Sequence, residues 1–395
     1  MCFLGFGVIK TLPGLDLDSS AKTQKKLETQ DLKLETNFGN EISMTIQVRT
    51  AISSMKGYVP GFQPDPRENY LKLNSNENPY PPSPRVREVL KKTAYEDLRI
   101  YPDPVSLGLR RKLGALYGFP PEQIICGNGS DEILNLIART FAGPGEGVGF
   151  HEPTFPLYRV LAAINGNEIL ASAVREPYAN PPFPPEKAKV FFLANPNSPV
   201  GFSYPLALVT EMARKSRGIF VVDEAYAEFA EENALNLIRE MENVIVVRTV
   251  SKSYALAGVR LGYAVAHPKW ITEMLKVKDP FNVTRLTQEI VAAALTDQEY
   301  FRGKIRDVVA TREWFFREAK ALGYRMVPSR ANFLFPQPPK QGRGKAFFDA
   351  LLRKRVLARH YDEDGLRDGV RLTIGARDEM ERVLGVFREI LPEFS

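Results

Sequence analysis

The chain has 395 residues, beyond the size at which one hydrophobic core keeps growing, so two lobes are expected. Its 44% hydrophobic and 25% charged content is that of a globular protein, and no run approaches the roughly twenty apolar residues of a membrane helix. The net charge of +6, spread over 53 basic and 47 acidic residues without a basic run, suits a small anion better than a nucleic-acid track.

Two cysteines, Cys2 and Cys126, allow no disulfide framework and no metal-ligand spacing. The three histidines lie far apart, so no metal is expected. This is the cysteine usage of a reduced, cytoplasmic protein. The opening MCFLGFGVIK is apolar but lacks the basic start and small-residue cleavage site of a signal peptide. Residues 11–43 are polar and poorly periodic, and 1–43 read as a disordered tail, with Met44 or Met55 as candidate initiators.

Folded character begins near Ala51. The stretch from GYVPGFQP to NENPYPPSP is rich in Pro, Gly and Asn and reads as an irregular arm. Helices are predicted over 84–94 and 106–117, the second with Ser106 as N-cap after the turn YPDPVS. From Gln123 onward, short apolar runs alternate with helical patterns. IIC, VGFHEP, KVFFLAN, GIFVVDEAY, VIVVRTVS and RLGYAVAHP predict strands of a buried, largely parallel sheet with helical crossovers. A helical region follows Pro280 to about Leu322, and the remainder reads as an α+β lobe. The resulting division is a tail over 1–43, an arm and part of a small domain over 44–100, a large domain over 101–285 and a small domain over 286–395.

Three features fall at predicted strand ends, where open α/β sheets place ligands. GNGSDE, with Gly129, Ser130 and Asp131, is a Gly-rich turn feeding a helix. Such a turn offers free N–H groups and a positive dipole end to a phosphate, although an ordinary capped turn reads the same way. Its sixth position, Glu132, departs from a dinucleotide fingerprint, which argues against a nicotinamide dehydrogenase. Asp223 ends the run VVD, with Tyr226 just beyond it. Lys252 follows VIVVRTV in a Ser/Thr-rich turn; between apolar segments its burial would lower its pKa and favour the neutral, nucleophilic amine.

The run Ser251, Lys252, Leu256, Gly258, Arg260, Gly262 and Tyr263, filling S-K-x-x-x-L-x-G-x-R-x-G-Y, resembles the lysine signature of fold-type I pyridoxal-phosphate (PLP) aminotransferases. Within them the chain resembles the histidinol-phosphate aminotransferase family. GYVPG, LNSNENPYPPSP, YPDP, GNGSDE, EPTFPLY, NPNSPVG and VRLTIGAR stand in that family's order. The resemblance implies an α/β fold with a large, mostly parallel sheet domain and a smaller α+β domain. It implies PLP as cofactor, and transamination between L-histidinol phosphate and 2-oxoglutarate in histidine biosynthesis. Lys252 would anchor the cofactor, Asp223 face its ring nitrogen, Tyr226 its ring oxygen, and Phe155 stack on the ring. Gly129, Ser130, Thr249, Ser251 and Arg260 would hold its phosphate, and Asp131 would belong to the same cofactor site. Tyr101 would reach the cofactor of a second subunit, implying a homodimer. Arg371, Arg359, Tyr58 and Tyr80 would bind substrate. The family's second interior Asn is Ser198 here, and Asn197 is the candidate to replace it. An aromatic-amino-acid aminotransferase and a threonine-phosphate decarboxylase are alternatives on the same fold. A DNA-binding regulator is set aside because the first fifty residues carry no helix-turn-helix pattern and no basic stripe.

Overall fold

The computed structural model describes residues 47–57 and 61–394; the expected tail, Met44 and Tyr58 lie outside them. A short helix α1 (Thr50–Ser53) belongs to an N-terminal unit, and the chain from Ser54 onward forms a second compact unit. In that second unit the elements run β1 (Leu71–Lys72), α2 (Pro84–Lys92), α3 (Leu107–Tyr117), β2 (Ile124–Gly127), α4 (Ser130–Phe141), β3 (Gly147–Glu152), α5 (Leu157–Asn165), β4 (Glu168–Ala173), β5 (Ala188–Ala194), α6 (Leu206–Lys215), β6 (Ile219–Asp223), β7 (Val244–Thr249), β8 (Gly262–Ala266) and α7 (Pro268–Val277). There follow α8 (Arg285–Ala294), α9 (Gln298–Ala321), β9 (Phe333–Leu334), α10 (Gly344–Arg353), β10 (Val356–Leu357), β11 (Arg359–His360), β12 (Val370–Thr373) and α11 (Arg377–Ile390).

Seven strands form one sheet in the order β2-β8-β7-β6-β5-β3-β4. β8 runs antiparallel to both of its neighbours and the other pairs are parallel, so the sheet is largely parallel as the sequence predicts. Strands such as VIVVRT are buried at every position because both faces are covered. Phe191, Phe220, Val222, Val244 and Val246 pack toward α3, α6 and α8. Their neighbours Val190, Phe192, Val221, Ile245 and Val247 pack toward α4, α5 and α7. β4 was not among the predicted strands: unlike β2 at the other edge, this edge strand is buried at no position, its EILASA side chains being half-buried or exposed, so it shows no buried apolar run. A separate core gathers α9, α10 and α11 over the three-stranded sheet β11-β12-β9.

Ser106 stands at the start of α3, but its side chain makes no capping bond and its φ is 51°. Asp103 does that work: its carboxylate accepts from Leu107 N at 2.6 Å and Val105 N at 3.0 Å. A carboxylate from the preceding turn reaches the first free N–H groups of the helix better than a serine in a left-handed conformation.

Candidate active site

Because β8 runs antiparallel, its first residue meets the carboxyl ends of its neighbours. Gly262 is paired with both Gly127 and Thr249. The C-terminal ends of β2, β5, β6 and β7 and the start of β8 therefore converge, as open α/β sheets require of a ligand site. A cavity of about 260 Å³ opens there. Its lining includes Ser130, Asp131, Phe155, Asp223, Tyr226, Thr249, Ser251, Lys252, Arg260, Arg359 and Arg371, which brings together eleven of the side chains singled out in the sequence.

At one end, Gly129 caps α4 with φ 84°, a conformation that favours glycine, and a Cβ there would lie 2.5 Å from Arg260 Nη2. Gly262 is needed for the opposite reason. A Cβ on it would come within 2.2 Å of Ser130 N, so only glycine lets β8 pass against the helix N-terminus. The free N–H groups of α4, the hydroxyls of Ser130, Thr249 and Ser251, and the Arg260 guanidinium form a cradle for a dianion. Thr249 and Ser251 are joined at 2.9 Å, and Arg260 Nη2 reaches Asp131 at 3.5 Å.

Asp223, 5% exposed, ends β6 at the middle of the cavity. Its Oδ2 accepts from the Tyr158 hydroxyl at 2.7 Å and its Oδ1 from Ala225 N at 3.2 Å. Burial pushes its carboxyl up to about 6, with the Tyr158 hydrogen bond opposing. No ion pair to it is found among the described residues, so its charge faces the cavity without a cation. Lys252 Nζ donates to Ser75 O at 3.0 Å. Burial, with the Arg371 charge adding to it, lowers its pKa to about 8, so the neutral amine is far more available near neutrality than that of a solvated lysine. Tyr226 accepts from Asn76 Nδ2 at 2.8 Å, and burial raises its pKa.

At the far end, Arg359 and Arg371 are cross-strand partners in β11 and β12. Arg371 donates through Nη2 to Asn74 O at 2.9 Å and through Nη1 to Ser198 Oγ at 3.4 Å. Its buried Nε has no hydrogen-bond partner among the described residues. The arm crosses here: Asn74 Nδ2 holds Phe62 O at 2.7 Å, and Gly61 lies against the Arg359 guanidinium.

Other expected residues lie elsewhere. Asn197 is 4% exposed but is not part of the cavity lining. Its amide donates to Pro153 O at 3.0 Å and accepts from Val200 N at 3.3 Å, which ties the β5–α6 turn together; Pro196 and Ser198 line the cavity instead. Tyr80 packs beneath Lys304, 4.4 Å from its ring centre, outside the cavity. Tyr101 is 78% exposed and stacks on Phe281 at 4.5 Å. Sequence reading missed Tyr158 and Asn76. Tyr158 stands in the quoted EPTFPLY run, and Asn76 in NSNENP, but neither is adjacent in sequence to the group it touches.

The cavity fits PLP. Its Gly129 cradle suits a phosphate, its cation-free buried carboxylate a protonated ring nitrogen, and its depressed lysine an aldehyde carbon. The chain belongs to the aminotransferase class I and II family, whose sequence profile matches residues 68–387. Within that family it falls among the histidinol-phosphate aminotransferases. It is 46% identical over 344 residues to the one from Syntrophotalea carbinolica, covering 87% of this chain and 99% of that one. It is likewise 46% identical over 346 residues to the one from Geobacter sulfurreducens, covering 87% and 99%. Among solved structures it is similar to the histidinol-phosphate aminotransferase from Sinorhizobium meliloti in complex with pyridoxal-5'-phosphate. That similarity has a TM-score of 0.78 at 25% identity and covers 88% of this chain and 98% of that one.

Proposed function

We propose that the protein transfers the amino group of L-histidinol phosphate to 2-oxoglutarate, giving imidazole acetol phosphate and glutamate, with PLP as cofactor. The observation that carries the substrate choice is the pair Arg359 and Arg371, opposite one another across β11 and β12 and both facing the cavity that holds Lys252. Histidinol phosphate has no α-carboxylate and presents a phosphate ester with nearly two charges, more than one guanidinium can satisfy. Glutamate offers carboxylates to the same pair.

Bound PLP supplies an electron sink for the bond broken at the substrate carbon. Each residue of the chain then has one task. Lys252 would anchor the cofactor and, as a free amine, carry the proton to and from the substrate carbon at Nζ; burial brings its pKa down to about 8, nearer neutrality than a solvated lysine. Asp223 would favour a proton on the cofactor's ring nitrogen. A charge pair at about 4 Å in an effective dielectric of 20 is about 4 kcal/mol, roughly three pKa units. Tyr226 would donate to the ring oxygen, and Phe155 would cover the ring face. Gly129, Ser130, Thr249, Ser251 and Arg260 hold the phosphate, with Asp131 placing Arg260. Arg371 and Arg359 orient the substrate anion.

A cytoplasmic place of action belongs to this reading and is supported by the scarcity of cysteine. A homodimer belongs to it too. It is supported by the exposure of Tyr95, Leu98, Ile100, Tyr101 and Phe281, apolar side chains that a second copy would cover. The test is kcat/KM for histidinol phosphate and for phenylalanine in wild type and Arg359→Ala. A charged hydrogen bond is worth about 1.5–3 kcal/mol, so the variant should lose about ten- to a hundredfold on histidinol phosphate and less on phenylalanine. Equal losses would remove the role given to Arg359. A wild-type preference for phenylalanine would replace the proposal with an aromatic-amino-acid aminotransferase, and release of carbon dioxide from threonine phosphate would replace it with a decarboxylase.

A further inference from the structure

Asn76 is 1% exposed and lines the cavity beside Tyr226. Every one of its polar atoms is engaged. Its backbone N–H donates to Thr373 Oγ1 at 3.0 Å, and the Thr373 hydroxyl sends its single proton back to Asn76 Oδ1 at 3.1 Å. Asn332 Nδ2 donates to the Asn76 carbonyl at 3.0 Å. Oδ1 is the accepting end of the amide, since a reversed amide would leave the Thr373 hydroxyl proton without its acceptor, and Nδ2 is turned to Tyr226 Oη, to which it donates at 2.8 Å. A phenol has one proton. With Asn76 donating to its oxygen, Tyr226 must direct that proton away from the amide, and the cavity is where a ligand acceptor can take it.

We infer that Asn76 is a positioning residue that sets the direction of the Tyr226 hydrogen bond, holding the phenol as a donor toward the cofactor's ring oxygen. Thr373, whose hydroxyl proton goes to Asn76 Oδ1, is the lock that keeps the amide from turning over, while Asn332 holds the backbone carbonyl of Asn76. The inference rests on the reading that Tyr226 faces that oxygen. A donor there stabilises the more anionic form of the bound chromophore and lowers the pH at which its visible absorbance changes. Were the amide reversed, Asn76 would accept from Tyr226, and the phenol would offer the cofactor only a lone pair.

The experiment is a pH titration of the visible absorbance of the holoenzyme, in wild type, Asn76→Asp, Tyr226→Phe and the double variant. A carboxylate at position 76 keeps the shape but must accept, drawing the phenol proton off the cofactor. The midpoint should rise by about one to two pH units in Asn76→Asp, the worth of one hydrogen bond to a charged group. In the Tyr226→Phe background the same substitution should raise it much less, because only the added charge still acts. Equal shifts in the two backgrounds, or no shift in Asn76→Asp while Tyr226→Phe moves the midpoint, would overturn the role of Asn76 and leave Tyr226 in place. No shift in Tyr226→Phe would remove Tyr226 from the ring oxygen, and the inference with it. Thr373→Val is the uncharged counterpart should Asn76→Asp not fold. It frees the amide to turn and should also raise the midpoint, and an unchanged midpoint there counts against the inference.

Discussion

Asp223→Asn should make the cofactor-free protein more stable and the holoenzyme worse. In the structure this carboxyl is buried at a strand end, its pKa raised by desolvation from 3.8 to about 6. Between those two values the folded protein keeps a proton that the unfolded chain has released. Stability of the cofactor-free protein therefore falls as pH rises through that window and stays lower above it. A shift of roughly two units is about 3 kcal/mol. Asparagine removes the charge, and its Oδ1 can still accept from Tyr158. Its Nδ2 then faces Ala225 N, donor against donor, which gives back about 1 kcal/mol. The net gain at pH 8 is about 2 kcal/mol, fading toward pH 4. The assay is urea denaturation of the cofactor-free protein at both pH values, with equilibrium dialysis of PLP alongside. Affinity for PLP should fall, since the neutral amide gives up an ion pair of about 4 kcal/mol. An Asn variant no more stable than wild type at pH 8, or one offset equally at both pH values, would refute the account of Asp223 as a charge held ready for a cation.

Borohydride reduction of the holoenzyme followed by peptide mapping should place the pyridoxyl group on Lys252, and a label on any other lysine would displace it as the anchor. Mixing Lys252→Ala chains with Tyr101→Phe chains should restore activity above either parent, because a hybrid dimer in which Tyr101 serves its partner has one site free of both defects. No recovery after verified subunit exchange would mean that Tyr101 acts within its own chain.

Much of the architecture was legible because it follows from local rules. Apolar runs without alternation require strands covered on both faces, and six of the seven strands of the large sheet were read that way. The edge strand Glu168–Ala173 was not, since one side of it meets solvent and its composition does not commit it. Lys252 and Asp223 were singled out for a related reason: Asp223 closes a buried strand, and Lys252 stands in the turn just after another, inside the run that carries the family resemblance. Side chains whose task depends on distant partners could not be found that way. Asn76 works through Tyr226, 150 residues away, and Thr373, 297 residues away; Tyr158 works through Asp223, 65 residues away. Asn197 and Tyr80 show the converse, motif residues whose polar groups or rings the folded chain uses elsewhere. The sequence by itself determined which segments have apolar runs and which chemistry stands at their ends, because apolar patterning and backbone preference are properties of neighbours along the chain. Only the tertiary structure decided which of those groups face one cavity and in which direction each hydrogen bond points. A buried donor must take whatever acceptor packing brings within about 3 Å, and packing is a property of the whole chain.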